Sequence, residues 1–138
     1  MNKITDISFL EYNNNISDIN CLSNAKFEKL EALALHKNNI TNVDSLKNVK
    51  FTKLENLSLN DNKISDIQFL KNENFKFLKK LWLNNNNIDD ISIFNYIKLE
   101  KLESLYLDNN KADEIKIKTK NYSMIINKLK SNIKTFTI

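Results

Sequence analysis

The stretch Leu54-Glu55-Asn56-Leu57-Ser58-Leu59-Asn60-Asp61-Asn62-Lys63-Ile64-Ser65-Asp66-Ile67-Gln68-Phe69-Leu70 decides the fold. Apolar residues stand at Leu54, Leu57, Leu59, Ile64, Ile67 and Leu70, with Asn62 fixed between them. The same frame occurs upstream at Leu30, Leu33, Leu35, Asn38, Ile40, Val43 and Leu46, and downstream at Leu78, Leu81, Leu83, Asn86, Ile88, Ile91 and Phe94. A fourth copy opens with Leu102, Leu105, Leu107 and Asn110 and then loses the pattern. The steps from Leu35 to Leu59, Leu59 to Leu83 and Leu83 to Leu107 are equal. A fixed period of this size marks units that cannot bury their apolar side alone and must stack.

Each unit has one physical plan. Leu-x-Leu is a short strand, because alternate side chains on a strand point the same way. The turn after it carries Asn38, Asn62, Asn86 and Asn110. An inward amide is costly unless paired, so these side chains are expected to bond backbone groups of their own and adjacent turns. Asp18, Asn42, Asp66, Asp90 and Glu114 recur just before the second aliphatic of the return arm. There they are expected to cap a short helical turn. A Phe-x-x-Leu segment then feeds the next strand, as in Phe51 to Leu54 and Phe75 to Leu78.

The ends depart from the frame. Ile7, Leu10, Tyr12 and Asn15 have the spacing of Leu30, Leu33, Leu35 and Asn38, which predicts a first strand in that register and a first repeat slightly shorter than the rest. In the fifth unit Ala112 replaces the aliphatic and Lys118 stands where Leu70 would be. Tyr122, Ile125, Ile126, Leu129 and Ile133 then have helical spacing, which predicts an amphipathic helix over 122–132. Ile133, Phe136 and Ile138 reproduce the strand spacing after a longer interval and predict a sixth strand. The repeats are thus placed at about 4–26, 27–50, 51–74, 75–98 and 99–121, with a C-terminal capping helix and the last strand in 122–138. Met1 and Ile4 are thin cover for the first strand, leaving its edge open to pairing with a second copy.

Composition narrows the function. The chain has no Gly and no Pro, so its turns must rely on Asn and Asp, which tolerate left-handed backbone. The net charge of +4 comes from Lys without Arg, a weak nucleic-acid signal, since Arg supplies bidentate base and phosphate contacts. No apolar run approaches the ~18 residues of a membrane span, and the opening residues lack the apolar core of a secretory signal. The single cysteine, Cys21, cannot form an internal disulfide. Together these features predict a cytoplasmic protein without membrane association. Cys21 occupies the place of Phe69 and Ile93 and is expected to be half-buried.

The motif Leu-x-x-Leu-x-Leu-x-x-Asn-x-Ile-x-x-Ile-x-x-Leu, with its Ile-Ser-Asp-Ile and Ile-Asp-Asp-Ile arms, resembles the leucine-rich repeat family over nearly the whole chain. Its short repeats are similar to the SDS22-like and internalin-like class. The resemblance implies an α/β fold: a right-handed leucine-rich repeat solenoid, with a concave parallel β-sheet of about six short strands and short helical return arms. It also implies a protein-binding role.

In that fold the residues beside the inward leucines face the concave side: Phe9, Glu11 and Asn13; Ala32, Ala34 and His36; Asn56, Ser58 and Asn60; and so on to Thr135 and Thr137. The only Trp, Trp82, lies there, with Tyr106 as its neighbour one strand on. An exposed Trp and Tyr ringed by polar side chains have the composition of a binding hot spot. The expected partner-binding residues are Trp82, Tyr106, Asn60, Asn84, Asp108, His36, Ser58 and Lys80.

Asp18, Asp66, Asp89 and Asp90 recur along the outer arm rather than clustering, which argues for capping and against a metal site. His36 and Cys21 fall on opposite faces, which excludes a Cys-His nucleophile. No catalytic group survives the frame and no cofactor is called for, so the expectation is a non-enzymatic module that binds a protein partner. Two alternatives are a regulatory binder of a protein phosphatase, by resemblance to the SDS22-like class, and a weak nucleic-acid binder using the lysine-rich C-terminal end. That end carries Lys111, Lys116, Lys118, Lys120, Lys128, Lys130 and Lys134.

Overall fold

The computed structural model describes residues 4–7 and 15–138. Six short strands form one sheet in chain order: β1 (Asp6–Ile7), β2 (Ala32–Ala34), β3 (Asn56–Ser58), β4 (Lys80–Trp82), β5 (Ser104–Tyr106) and β6 (Thr135–Thr137). Every neighbouring pair is parallel. Parallel neighbours need a crossover, and here each crossover is one return arm. The arms of the first four rungs are 3-10 turns at Asn20–Asn24, Asp44–Lys47, Gln68–Lys71 and Ser92–Asn95, with one more at Glu73–Phe77. Leu33, Leu57, Leu81 and Leu105 share one register across the sheet and are at most 1% exposed. Behind them Ile40, Ile64 and Ile88 and the arm residues Leu46, Leu70 and Phe94 complete one continuous core.

The asparagine ladder forms as expected. Asn62 Oδ1 accepts from the Ile40 N–H at 3.0 Å, while its Nδ2 donates to Leu35 O at 2.9 Å and Leu59 O at 3.1 Å. Asn86 repeats this with Ile64, Leu59 and Leu83, and Asn110 with Ile88, Leu83 and Leu107. Each amide therefore ties its own turn to the preceding rung. The arm carboxylates and amides also behave alike: Asp18, Asn42, Asp66 and Asp90 each accept, at 2.7 Å, from the N–H two residues on. Each fixes the start of a 3-10 turn in an Asx geometry. Glu114 departs from this series and lies inside a helix instead.

Left-handed backbone occurs at Asn15, Lys37, Asp61, Asn85, Asn109 and Asn121, with φ between 53° and 60°. All but Lys37 are Asn or Asp, the non-Gly residues that bear this conformation most readily.

The first rung differs from its expected register. Asp6 pairs with Ala32 and Ile7 with Leu33, so Ile7 takes the inward strand place rather than Leu10. The strand spacing can be threaded onto this segment through either residue, and the hydrogen-bond ladder selects the earlier one. The interval from Ile7 to Leu33 exceeds that from Leu33 to Leu57, where a shorter first interval was expected. Ile16 donates to Asn38 Oδ1 as Ile40 does to Asn62, so the regular frame resumes at Ile16 and the additional length lies between β1 and that residue. Asn15 is exposed and left-handed and is not a member of the ladder. Leu10 and Tyr12 lie outside the described residues.

Cys21 is exposed, not half-buried. It belongs to the first 3-10 turn, which packs on one neighbouring turn, whereas Phe69 and Ile93 are sandwiched between rungs and are 0% and 2% exposed.

In the fifth rung the arm becomes two helices, α1 (Ala112–Lys118) and α2 (Tyr122–Asn132). The periodicity predicted only the second. Ile125, Ile126 and Leu129 of α2 are buried, and β6 follows it as the last strand, with Phe136 opposite Leu105. The helix thus lies within the fifth return arm and does not cover β6 from outside. Phe136 remains only half-buried.

Candidate functional site

The sheet face turned away from the core carries three rows of side chains. One row runs Ala34, Ser58, Trp82, Tyr106, Thr137; a second runs Ala32, Asn56, Lys80, Ser104, Thr135. His36, Asn60, Asn84 and Asp108 form the third, just past the strand ends. All residues in the third row are half-buried.

The parallel register makes Trp82 and Tyr106 direct lateral partners. Their rings lie 5.9 Å apart, centroid to centroid, at an interplanar angle of 4°. Both are half-buried and neither belongs to the core cluster. Tyr106 occupies one face of the indole. On the other side the row drops to Ser58 and Ala34, and a depression of about 340 Å³ opens there. Ala32, Ala34 and Ser58 floor it, Trp82 walls it, and His36 and Asn60 close one end.

The polar end is cross-linked. Ser58 Oγ lies 3.1 Å from His36 Nδ1 and donates to Asn60 Oδ1 at 2.8 Å. Asn60 Nδ2 donates to Asp61 Oδ2, and Asp61 Oδ1 accepts from Asn85. Asp108 accepts from the Thr137 hydroxyl, which binds β6 to β5. Asn84 Oδ1 is enclosed and, among the described residues, has no hydrogen-bond partner.

Of the expected site residues, His36, Ser58, Asn60 and Trp82 meet around one depression. Tyr106 backs the indole from behind. Asn84 and Asp108 lie farther along the polar row, and Lys80 is exposed beside Asn56 and Ser104 without lining the depression. Asp6 lines it and was missed, because the expected register put Phe9 opposite Ala32. Phe9, Glu11 and Asn13 lie outside the described residues.

The C-terminal lysines do not act as one free basic face. Lys118 pairs with Asp89 at 2.6 Å, Lys134 with Glu103 at 3.2 Å, and Lys128 Nζ donates to Phe94 O at 2.9 Å. The hydrogen bond to Asp89 raises the Lys118 pKa above its ordinary 10.5. Among the described residues no group of three or more His, Cys, Asp or Glu could hold a metal ion, and no helix is long and apolar enough to cross a membrane.

A stacked solenoid with a parallel sheet on one side, an amide ladder in its turns and an aromatic pair on its exposed face defines a repeat protein of the leucine-rich type. The family model for leucine-rich repeats (two copies) matches residues 28–72 and 76–119, and the chain belongs to that family, in its internalin-like class. Among solved structures, an internalin (inlF) from Listeria monocytogenes is 34% identical, with a TM-score of 0.67 over 88% of this chain and 31% of that one. An internalin C2 (inlC2) from the same organism is 28% identical, with a TM-score of 0.66 over 88% of this chain and 47% of that one. The chain therefore spans less than half the length of either. Curated proteins return no match. Leucine-rich repeat domains generally mediate protein–protein interaction and are typically non-enzymatic.

Proposed function

We propose that this chain is a non-enzymatic interaction module that grips a protein partner on the exposed face of its sheet. Trp82 and Tyr106 are the anchors, and Ser58, Asn60, His36, Asn84, Asp108 and Lys80 supply the polar surround. The observation that carries the reading is the parallel stack of the two rings beside a depression floored by small residues. Tyr106 holds the indole upright, so its free face is ordered before a partner arrives and less side-chain entropy is lost on docking. A partner side chain entering the depression would contact that face while its polar atoms meet Ser58 and Asn60.

A cytoplasmic setting belongs to the same reading and is supported by a single, exposed cysteine. The nucleic-acid alternative is weakened by the engagement of Lys118, Lys128 and Lys134 within the fold.

The test is affinity capture from the native cell with wild type and with Trp82→Ala/Tyr106→Ala. Loss of two hot-spot aromatics at about 2 kcal/mol each predicts at least about a hundredfold weaker binding of the captured protein. Circular dichroism should remain unchanged. Equal affinity in a folded double variant removes the proposal, and a phosphatase catalytic subunit in the captured fraction would favour the regulatory alternative.

A further inference from the structure

A second recognition surface lies on the return-arm side, away from the sheet. Three depressions of about 430, 490 and 370 Å³ follow one another there across successive rungs. The first two share Lys71 and Asn72, and the last two share Ile97, Lys98 and Leu99, so they adjoin in one row, hereafter the groove.

A break in the repeat falls where the second and third depressions meet. In the third rung Phe69 and Phe75 pack edge to face at 5.3 Å and are both fully buried. One period on, the same two places hold Ile93 and Leu99. Two aromatic rings are exchanged for two smaller aliphatics, and Leu99 is left half-buried. The last depression is floored by apolar residues, Leu102, Leu129 and Ile133. One wall is held firmly: Asn72 Nδ2 donates to Leu46 O and Val49 O, at 3.2 and 2.9 Å. On the far side the Lys128 bond to Phe94 O pins α2.

The rim is basic. Lys71, Lys76, Lys98 and Lys128 line the groove against Glu73 and Glu100. Among the described residues none of these four lysines is in an ion pair, but Lys128 is engaged by Phe94 O, so Lys71, Lys76 and Lys98 are the rim cations that face a ligand. Lys47, at the first depression, is neutralised by Asp44 at 2.6 Å. Tyr96, 74% exposed, stands at the middle of the groove.

We infer that this groove docks an acidic segment of a partner protein, whose bulky apolar side chains seat over Leu99 while its carboxylates meet Lys71 and Lys98. Apolar floor and cationic rim complement such a segment in both respects, and the groove's length across three rungs suits an extended chain rather than one side chain. This surface is independent of the aromatic pair on the sheet.

The experiment uses the full chain and three fluorescein-labelled peptides of equal length, alternating Glu/Leu, Glu/Ser and Lys/Leu. Only Glu/Leu should bind, with affinity falling as salt rises. Lys71→Glu/Lys98→Glu should weaken it by at least about tenfold. Leu99→Phe, which restores the aromatic of the preceding rungs and fills the floor, should do the same. Trp82→Ala/Tyr106→Ala should leave it unchanged, which separates a failure here from a failure of the sheet-face proposal. Equal binding of Glu/Ser, preference for Lys/Leu, or indifference to the double charge reversal in a folded variant overturns the inference. So does binding of phosphatidylserine vesicles with no binding of Glu/Leu, which would make the groove a lipid surface.

Discussion

Replacing Asn86 by Ala isolates what the amide ladder contributes. Asn86 is 6% exposed and makes three bonds with buried backbone: one accepted from Ile64 N–H at 2.9 Å, and two donated, to Leu59 O at 3.0 Å and Leu83 O at 3.1 Å. Alanine leaves all three groups without that partner in a space closed to water. Only the Ile64 N–H is orphaned, since Leu59 O keeps its bond from Asn62 Nδ2 and Leu83 O its bond from Asn110 Nδ2. An orphaned buried donor costs about 1–3 kcal/mol and the two weakened carbonyls add to it, so the loss should be roughly 2–4 kcal/mol. That is a large part of the ~5–15 kcal/mol that holds a domain together. The exposed neighbour Asn87 is the control, since Asn87→Ala alters the same turn without touching the ladder. Urea unfolding followed by Trp82 fluorescence and by circular dichroism gives both differences. In a solenoid the two probes need not coincide, and a Trp82 transition preceding the global one would place the break at the mutated rung. A loss below about 1 kcal/mol, or equal effects of the two substitutions, would show that the ladder does not hold the rungs together.

Two further outcomes follow from single residues. Ser45 is 7% exposed in the row of Phe69 and Ile93, and its hydroxyl, among the described residues, has no partner; Ser45→Ala should raise stability by about 1 kcal/mol and Tm by about 3 °C in calorimetry. The Lys118 pKa is raised by its hydrogen bond to Asp89, so the pair's contribution is complete below the ordinary lysine value of 10.5 and disappears as pH climbs through the raised value. The stability difference between wild type and Lys118→Gln should therefore stay constant from neutral pH to about pH 10 and close above it, and a difference already closing near neutrality would refute the assignment.

How much of this fold could be read from the chain depends on repetition. Leu57, Asn62 and Asp66 each recur at the same interval with the same neighbours, so strand, ladder and Asx turn are specified several times over. Errors gather where a residue has no copy to check it against. Ile7 and Leu10 both fit the strand pattern, and pairing with Leu33 is settled by backbone hydrogen bonds that side-chain spacing does not report. Cys21 has buried counterparts, but burial there needs a rung on each side, a property of position in the stack rather than of residue type. Helix α1 carries its exposed Ile117 away from the core, so its pattern of Ala112, Ile115 and Ile117 has no clean apolar stripe to announce a helix.

The candidate sites follow a different logic. A period tells which side chains are equivalent, and equivalent positions build the framework, whereas a binding surface needs adjacent rungs to differ. On the sheet face the change from Ala34 and Ser58 to Trp82 and Tyr106 makes a step, and the depression lies at its foot. The adjacency of Trp82 and Tyr106 was legible because lateral neighbours come directly from the register, whereas their parallel stacking came only with the structure. The depression was not, since it depends on what is small beside the ring. On the arm side the change from Phe75 to Leu99 puts a smaller, half-buried side chain on the wall shared by two of the depressions. Both surfaces include a place where equivalent positions of successive rungs carry unequal side chains. Restoring the repeat at either place, with Trp82→Ser or Leu99→Phe, should therefore erase one surface and leave the other intact.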